Sequence, residues 1–291
     1  MHSFLMKFYY VITAPFAIFF ILNSPKIHPS YKMNFFRKLK LGSQMFLNKT
    51  RVQTGTNFKA HLAMALKLLE MPPEKEGVVV ECGTWKGGSA CNLSLVCKIV
   101  NRKLIIFDSF AGLPESEDLD REAHIYLKGD YCGTLDEVKS NIQKYGAIER
   151  CEFRQGWFED TLPQIDFPIV LAFLDVDLES SLDTCIRYLW NHLVEDGYLF
   201  TDEAGNPTYI TLFFSEKWWK KNFNRVPPGL IGAGTGLPLG EYYIGPLDEL
   251  AGHPLQHAST GGYTRKDMEA IWVYYPEEQP QQQQQVGELT A

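Results

Sequence analysis

Four carboxylates stand in two pairs, Asp175 with Asp177 and Asp202 with Glu203, and each pair ends a run of apolar residues that is typical of a buried β-strand. Crowded carboxylates repel one another, and their pKa values rise unless a cation neutralises them. Magnesium takes hard oxygen ligands of this kind and lowers the pKa of a substrate hydroxyl that it contacts, so that a nearby carboxylate can remove the proton. The alternative is that these carboxylates are simply solvated at the ends of their strands. This alternative explains any one of the four residues, but it poorly explains the presence of all four. The pairs therefore predict a site for a hard cation.

A glycine-rich turn lies earlier in the chain, in the stretch VVVECGTWKGGSA from 78 to 90. Glycines at 83, 87 and 88 let the backbone turn tightly and approach a ligand closely, and a helix that begins near Ser89 directs free N–H groups at that ligand. The pattern is not the G-x-G-x-x-G of dinucleotide enzymes. Glu81, just before the first glycine, would repel a diphosphate but suits a ligand with a cationic amino-acid end. A tight turn without a ligand is the alternative interpretation.

Asp108 ends the next apolar run, 21 residues after Gly87. In nucleoside-binding sheets an acidic residue at about this offset accepts hydrogen bonds from ribose hydroxyls, although an aspartate past a strand is often only a helix cap. Together with the glycine-rich turn, Asp108 indicates an adenosyl ligand that lacks a diphosphate. S-adenosylmethionine, with its cationic ammonium and sulfonium groups, has this chemistry.

The elements that must position these residues alternate between strand and helix. Short apolar runs predict strands at 77–83, 103–109, 151–157, 169–177 and 197–203, and helical spacing of apolar residues predicts helices at 58–71, 89–100, 134–146, 182–193 and about 208–222. This alternation predicts an α/β fold with a Rossmann-like, mostly parallel sheet and helices on both faces. Ligands of such sheets bind beyond the carboxyl ends of the strands, which is where the polar residues above fall.

Several of these stretches resemble a known family. VVVECGTWKGGSACNLSLVC, RKLIIFDSFAGLPE, GWFEDTLP and FLDVDLESSLDT, with the strand that ends in FTDE, are similar to the macrocin/mycinamicin-type (TylF-like) O-methyltransferases. FDSFAGLPE is the most specific match, and the resemblance covers roughly residues 54–240. It implies a class I methyltransferase fold, S-adenosylmethionine and Mg²⁺ as cofactors, a hydroxyl of a sugar or glycosylated natural product as the methyl acceptor, and a homodimer or larger homo-oligomer.

Carried over position by position, the resemblance assigns roles to individual residues. The metal ligands would be Asp175, Asp202 and Glu203, and Asp177 would be the candidate general base. The cofactor would contact Glu81, Gly83, Gly87 and Ser89 at its methionine end, Asp108, Ser109 and Phe110 at its ribose, and Gly156, Trp157 and Phe158 near its adenine, with Thr84 and Asp175 completing the contacts. The chain departs from the family pattern at Glu203, which replaces an aspartate and is one methylene longer, and at Glu179, which replaces an aromatic residue.

Composition limits the classes of function. The chain has 291 residues, 45% of them hydrophobic, which is enough for one large core or two modest ones. Its formal net charge of −7 gives no support to a nucleic-acid partner, whose footprint is a basic patch. Its six cysteines form no CxxC pair, and four of them fall in predicted core elements, which favours a reducing, cytoplasmic location.

The two ends of the chain differ from its middle. Residues 1–25 include an uncharged run from Phe8 to Pro25, which predicts either a membrane anchor on the cytoplasmic side or a helix that packs on the domain or on a partner subunit. We interpret residues 26–56 as a basic linker or N-terminal extension and 57–276 as the methyltransferase domain, with a glycine-rich lid loop at 227–240. Residues 277–291 read as a disordered, glutamine-rich tail.

Three functions compete at this point. The leading hypothesis is a magnesium-dependent O-methyltransferase that acts on a hydroxyl of a small molecule. The second is an inactive S-adenosylmethionine-binding protein whose metal site has decayed at Glu203. The third is a nicotinamide-dependent oxidoreductase, which the glycine spacing disfavours. The residue pattern does not identify the acceptor, whose pocket we expect to come from 115–133 and 204–265.

Overall fold

Parallel strands form the centre of the fold, as the strand–helix alternation predicts. The structure is a computed structural model, and it describes residues 2–117, 120, 126–204, 207–235, 240–244 and 261–266. In these residues one sheet contains β1 (Val78–Cys82), β2 (Leu104–Asp108), β3 (Cys151–Gln155), β4 (Ile169–Leu174), β5 (Leu193–Thr201), β6 (Leu230–Thr235), β7 (Gly240–Ile244) and β8 (Gly262–Arg265). The strand order is β3-β2-β1-β4-β5-β8-β6-β7.

The first five strands are parallel to their neighbours, whereas β6, β7 and β8 pair antiparallel. The central parallel strands β1, β2 and β4 are short apolar runs because helices cover both of their faces, and all six residues of β4 are buried. Their carboxyl ends lie side by side, since Cys82 pairs with Phe107 of β2 and with Leu174 of β4. This edge is the one at which ligands of such sheets bind.

Helices follow or precede the strands on both faces. They are α1 (His2–Asn23), α2 (Phe35–Arg51), α3 (Phe58–Glu70), α4 (Gly88–Val100), α5 (Leu135–Tyr145), α6 (Phe158–Thr161), α7 (Glu179–Leu189), α8 (Pro207–Ile210) and α9 (Glu216–Phe223). Side-chain caps begin several of them: Asn57 accepts from Lys59 N–H at α3, and Thr134 accepts from Glu137 N–H at α5.

Alternate residues of each strand enter two separate cores. On one face, Val79, Ile106 and Phe173 pack in a cluster with residues of α1 to α5. On the other face, Val80 and Ala172 pack in a cluster with residues of α7 to α9. The period of two places every second side chain on the same face, so the continuous apolar runs fill both cores.

The stretch 26–56, expected to be a basic linker or N-terminal extension, folds largely as the helix α2. Its buried residues Leu41, Met45 and Asn48 recur at intervals of four and three, and they pack against α3 and α4 in the first core. Asn48 also donates hydrogen bonds to the Asn92 side chain at 2.9 Å and to the Tyr145 carbonyl at 3.1 Å. This segment is therefore part of the folded domain, because its apolar face needs a partner.

The stretch 227–240, expected to be a loop, contains the strand β6. Leu230 is fully buried, and β6 pairs with both β7 and β8. Gly232 does not interrupt the pairing of β6 with β8, since it lies opposite Gly262. Residues 236–239 lie outside the described residues, as does the tail at 277–291.

The single helix expected at 208–222 is divided. Residues Pro207–Ile210 form α8, a 3₁₀ turn covers Thr211–Phe214, and α9 begins after Ser215. The Ser215 hydroxyl accepts a hydrogen bond of 3.3 Å from Trp218 N–H, so this residue caps a new helix.

The apolar N-terminal segment forms the 22-residue helix α1, which contains Pro15. Ala14, Ala17 and Ile21 are buried, and Ile18 contacts Gly42 of α2 closely enough that a Cβ there would lie 3.0 Å from the isoleucine side chain. Among the described helices, none combines the length and the hydropathy that crossing a bilayer requires.

Candidate active site

A cavity of about 290 Å³ opens at the carboxyl ends of β1, β2, β3, β4 and β5. It has the size of a small-molecule site, and polar and aromatic side chains line it together. Ten of the residues assigned from the sequence line this cavity: Gly83, Asp108, Ser109, Gly156, Trp157, Phe158, Asp175, Asp177, Asp202 and Glu203. The other five, Glu81, Thr84, Gly87, Ser89 and Phe110, lie behind its surface.

The turn between β1 and α4 brings backbone to the cavity wall. Gly83 has a φ of +78°, and a Cβ on it would lie 1.9 Å from the Asp175 carbonyl oxygen. Gly87, with a φ of +83°, is the N-terminal cap of α4, which begins at Gly88. Both positions therefore need glycine, one for a close backbone approach and one for its left-handed conformation.

Glu81 is fully buried beneath this turn. Its Oε2 accepts a hydrogen bond of 3.2 Å from the Thr84 hydroxyl, and the Ser89 hydroxyl is a further partner. Burial raises the pKa of Glu81 to about 8, although these two hydrogen bonds act to lower it. Its Oε1 is buried and has no hydrogen-bond partner among the described residues. A buried acceptor without a partner is costly, and it fits a ligand that brings a donor to this turn.

Asp108 is held by the backbone at the end of β2. Its Oδ2 accepts from Thr84 N–H and its Oδ1 from Phe110 N–H, both at 2.7 Å. Burial nevertheless raises the pKa of this carboxyl above its ordinary value. The two bonds orient the carboxylate so that it borders the cavity, where its remaining lone pairs can accept from ligand hydroxyls.

The end of β3 contributes the opposite side of this part of the cavity. Gly156 donates its N–H to the Asp108 carbonyl at 3.0 Å and has a φ of +147°. Trp157 and Phe158 follow, and α6 begins at Phe158. Asp108, Gly156 and Trp157 all line the cavity, so an acidic and an aromatic side chain both border it here.

Three carboxylates converge on the other side of the cavity. Asp175 and Asp177, which follow β4, and Glu203, which follows β5, each offer an oxygen within 4.8 Å of the others. Burial raises the pKa of Asp175 to about 6, and burial with the charges of Asp175 and Glu203 raises the pKa of Asp177 well above its ordinary value. The all-oxygen donor set fits a hard divalent cation such as Mg²⁺.

The cluster differs in one member from the ligand set assigned by resemblance. Asp202 lines the cavity and is 2% exposed, but it lies outside this three-carboxylate group, whereas Asp177, assigned as the general base, lies inside it. Asp202 and Glu203 are adjacent just after β5, and of the two it is the Glu203 carboxylate that lies within 4.8 Å of Asp175 and Asp177.

A lysine that sequence reasoning missed stands beside these acids. Lys49, near the end of α2, attracts Asp202 and Asp175 electrostatically, while burial lowers the pKa of its ammonium group. Its Nζ donates to the carbonyl oxygens of Thr54 at 2.7 Å and Thr56 at 2.8 Å. The Thr56 hydroxyl in turn donates to Asp175 Oδ2 at 2.8 Å. The protein thus supplies part of the positive charge that the four acids require.

Aromatic residues form the remaining wall. Trp85 and Tyr131 meet edge to face with their ring centroids 5.3 Å apart, and Tyr126 lies 6.2 Å from Tyr131. All three line the cavity on the side of Asp177 and Glu203. Burial is the main cause that raises the pKa of Tyr131, and the charges of Asp177 and Glu203 raise it further. Such rings offer apolar faces to the C–H groups of a bound ring.

Residues in the left-handed backbone region concentrate around this cavity. Trp85, Phe110, Tyr131 and Asp177 all have φ values between +48° and +56° although none of them is glycine. Each such conformation costs about 1 kcal/mol or more and persists only where the surroundings enforce it. Their concentration here is the pattern expected of a functional site.

Comparisons with known proteins agree with this geometry. The profile of the family described as "Macrocin-O-methyltransferase (TylF)" matches residues 56–222. Among solved structures, that of the O-methyltransferase NovP superposes with a TM-score of 0.55 at 17% identity, covering 89% of this chain and 98% of that one. This likeness supports the fold.

Two curated relatives come from Streptomyces. The 8-demethyl-8-(2,3-dimethoxy-alpha-L-rhamnosyl)-tetracenomycin-C 4'-O-methyltransferase of Streptomyces olivaceus is 31% identical over 137 residues, and the demethyldecarbamoylnovobiocin O-methyltransferase of Streptomyces niveus is 32% identical over 139 residues. Each alignment covers 44% of this chain and 52% of the relative, so the match spans about half the length of either protein. Because the family profile matches more than half of its residues, the chain belongs to the macrocin-O-methyltransferase (TylF) family.

Proposed function

We propose that the protein is an S-adenosylmethionine-dependent O-methyltransferase that uses Mg²⁺ and methylates a hydroxyl of a sugar or of a glycosylated natural product. The observation that carries the proposal is a single cavity with two chemically different ends. One end joins the glycine-rich turn to Asp108, and the other joins Asp175, Asp177 and Glu203. A methyl donor and an activated hydroxyl need such adjacent sites.

The first end fits the cofactor. Asp108, fixed by two backbone N–H groups, would accept from the ribose hydroxyls, and Trp157 would cover the adenine. The buried Glu81, with its one unpartnered oxygen, would hold the cationic methionine end through the turn at Gly83. S-adenosylmethionine supplies the electrophilic methyl group. The protein residues orient it and exclude water.

The second end fits the acceptor hydroxyl. Mg²⁺ at the three carboxylates would supply positive charge beside that hydroxyl and lower its pKa. Asp177 is the proposed proton acceptor, because its carboxylate lies in this cluster, where the acceptor hydroxyl would be bound. Tyr126, Tyr131 and Trp85 would pack on the acceptor ring. Their wall lies on the same side as the acids.

The relatives support the acceptor class. Both curated relatives carry names that describe O-methyl transfer on natural products, and one name places the methyl group on a rhamnosyl unit. Neither competing hypothesis has similar support. The family membership disfavours an oxidoreductase, and the convergence of Glu203 with two aspartates argues against a decayed metal site.

The first test is calorimetric titration of S-adenosylmethionine into the full chain, into Asp108→Ala and into Asp166→Ala. Asp166 is an exposed aspartate away from the cavity, so it serves as the matched control. We expect micromolar binding that Asp108→Ala removes and Asp166→Ala retains. Turnover is then measured on nucleotide-linked and aglycone-linked sugars, with Mg²⁺ and with a chelator.

Each outcome distinguishes the hypotheses. Binding with Mg²⁺-dependent turnover supports the proposal. Binding without turnover on any glycosylated acceptor, with no effect of Mg²⁺ on cofactor affinity, favours the inactive cofactor-binding protein. Lack of binding by folded protein removes the methyltransferase function altogether.

A further inference from the structure

The charge of the chain is divided unevenly along its length. Residues 1–69 contain ten Lys and Arg and no Asp or Glu, which leaves 18 Lys and Arg against 35 Asp and Glu in the rest, a formal charge of −17. The basic N-terminal region (residues 1–69) therefore carries +10 on a protein whose overall charge is −7. Two of these cations, Lys49 and Lys59, face the interior of the protein, and the exposed ones among the others form a surface that suits an anionic partner.

The same region exposes large apolar side chains. Ile12, Phe16 and Phe19 recur at intervals of four and three on α1, opposite the buried Ala14, Ala17 and Ile21. On α2 the outward residues are Phe36, Leu39 and Leu47, opposite the buried Leu41 and Met45. Phe36 is 77% exposed and Phe19 is 63% exposed. We call these six outward residues the apolar stripe.

Cations border the apolar stripe. Lys26, Lys32 and Lys40 are exposed in and beside the connection between α1 and α2. Lys38 donates its Nζ to the carbonyl oxygens of Leu22 and Ser24 and so binds the end of α1 to α2. A shallow groove at this junction is lined in part by Lys32 and Lys38. Exposed apolar side chains with lysines beside them are features of surfaces that bind anionic membranes.

A second copy of the chain is a less suitable occupant of this surface. In a twofold dimer through this surface, the exposed lysines beside the apolar stripe would be brought close to the same lysines of the second copy. Like charges facing one another oppose association. A surface with anionic headgroups above an apolar interior complements both the lysines and the phenylalanines.

We propose that α1 and α2 dock the protein on the surface of an anionic lipid bilayer, with the apolar stripe buried among the acyl chains and Lys26, Lys32 and Lys40 at the headgroups. The helices lie on the membrane without crossing it. This docking is independent of the chemistry in the cavity, since no residue of the apolar stripe lines it. It brings the catalytic domain to the membrane surface.

The test is co-sedimentation of the full chain with vesicles of phosphatidylcholine alone and of phosphatidylcholine mixed with phosphatidylserine. We expect binding to the mixed vesicles that weakens as salt is raised, because salt screens the attraction. The double variant Phe16→Ser with Phe36→Ser is expected to lose binding. The matched control, Tyr188→Ser with Val226→Ser, changes two partly exposed apolar residues elsewhere and is expected to bind normally.

A second set of variants tests the contribution of the lysines to vesicle binding. Lys26→Gln with Lys40→Gln is expected to weaken binding to the mixed vesicles about fivefold for each cation removed. Its control, Lys98→Gln with Lys103→Gln, removes two lysines whose side chains are 60% and 67% exposed on the remainder of the domain. Circular dichroism and thermal unfolding of every variant establish that it is folded.

The outcomes distinguish a membrane surface from a second copy of the chain as the partner of the apolar stripe. Loss of binding in both the apolar and the lysine variants, with retention in both controls, supports the proposal. Failure of the unsubstituted chain to bind either vesicle overturns it. Equal binding to both vesicles overturns the anionic preference. A dimer by light scattering that becomes a monomer in Phe16→Ser with Phe36→Ser, without vesicle binding, assigns the apolar stripe to a second copy.

Discussion

The Thr56 hydroxyl donates a 2.8 Å hydrogen bond to Oδ2 of Asp175, 119 residues further along the chain. This bond lowers the pKa of Asp175, although burial has the larger, opposite effect. It ties the connection between α2 and α3 to the carboxylate cluster that follows β4. The helices before the family-matched segment are thereby linked to these carboxylates.

Replacing Thr56 by valine should weaken cation binding. The change keeps the shape of the side chain but removes the donor to Asp175, so the carboxylate becomes harder to ionise. Because a hydrogen bond to a charged group contributes about 1.5–3 kcal/mol, we expect the Mg²⁺ concentration for half-maximal activity to rise about tenfold or more. The control is Thr50→Val, whose hydroxyl only donates to the Leu47 carbonyl within α2. An unchanged Mg²⁺ response in Thr56→Val would contradict the assignment.

Replacing Lys49 by methionine should shift the pH dependence of activity. Lys49 lowers the pKa of Asp175 by its charge, so its removal raises that pKa. Activity that needs the ionised carboxylate then begins at a higher pH, and the acidic limb of the profile of kcat/KM moves toward alkaline values. Lys98→Met, at an exposed lysine in the last turn of α4, is the control. An acidic limb that does not move would show that Lys49 only supports the loop at Thr54 and Thr56.

The pH dependence of cofactor affinity should depend on Glu81. Burial raises the pKa of Glu81 to about 8, so the carboxyl holds its proton at neutral pH in the absence of ligand. A cationic cofactor end favours the ionised form, and binding must therefore release this proton. We expect the affinity for S-adenosylmethionine to increase with pH up to about 8 and then to level off.

The variant Glu81→Gln separates this effect from general changes with pH. Its amide does not titrate, so its cofactor affinity should be weaker and independent of pH over the same range. Stability should respond in the opposite sense. In the unsubstituted protein the free energy of unfolding falls as pH rises from about 4.3 toward 8, because the unfolded chain loses the Glu81 proton first. Glu81→Gln should lack this fall, and urea titrations at several pH values measure it.

Gly83→Ala should destabilise the protein and abolish cofactor binding. A Cβ at this position lies 1.9 Å from the Asp175 carbonyl oxygen, and the φ of +78° is unfavourable for alanine. We expect the Tm to fall by about 5 °C or more. Gly55→Ala is the matched control, because Gly55 also lines the cavity but its added Cβ meets nothing within 4 Å. Equal Tm values for the two variants would contradict the close approach.

Tyr131→Ala should impair acceptor binding and spare cofactor binding. Tyr131 packs edge to face on Trp85 at 5.3 Å in the wall beside the acids. Loss of one aromatic contact corresponds to about 1 kcal/mol, so the acceptor KM should rise about fivefold while the cofactor Kd is unchanged. Tyr188→Ala, at a half-exposed tyrosine of α7, is the control. A rise in the cofactor Kd alone would place Tyr131 in the other half of the cavity.

The central sheet could be predicted from the sequence because its strands are short apolar runs without competing signals. The runs expected at 77–83 and 103–109 appear as Val78–Cys82 and Leu104–Asp108, and the predicted parallel order brings their polar ends together. The cofactor side of the cavity follows from this arrangement. Resemblance to a family added residue roles, which remain predictions.

Three features could not be predicted from the sequence, each for a different physical reason. They are the inward position of Lys49, the strand β6 and the break in the helix before α9. A lysine in a basic amphipathic helix is typical of a solvated face, and only tertiary packing reveals that Lys49 turns inward toward Asp175 and Asp202. The strand β6 contains glycines and is stabilised by pairing with β8, which comes 27 residues later in the chain. Ser215 could have been recognised as a helix cap, since serine is favoured at that position.

The helix α2 has one end in each of two environments. Phe36 lies near its start and faces outward, whereas Lys49 lies near its end and reaches the acids, about 20 Å away at 1.5 Å per residue. A helix of this length behaves as a stiff rod, and its packing at Gly42 against Ile18 leaves little room for sliding. The exposed surface around Phe36 and the acids near Lys49 are therefore held at a fixed separation by a single helix.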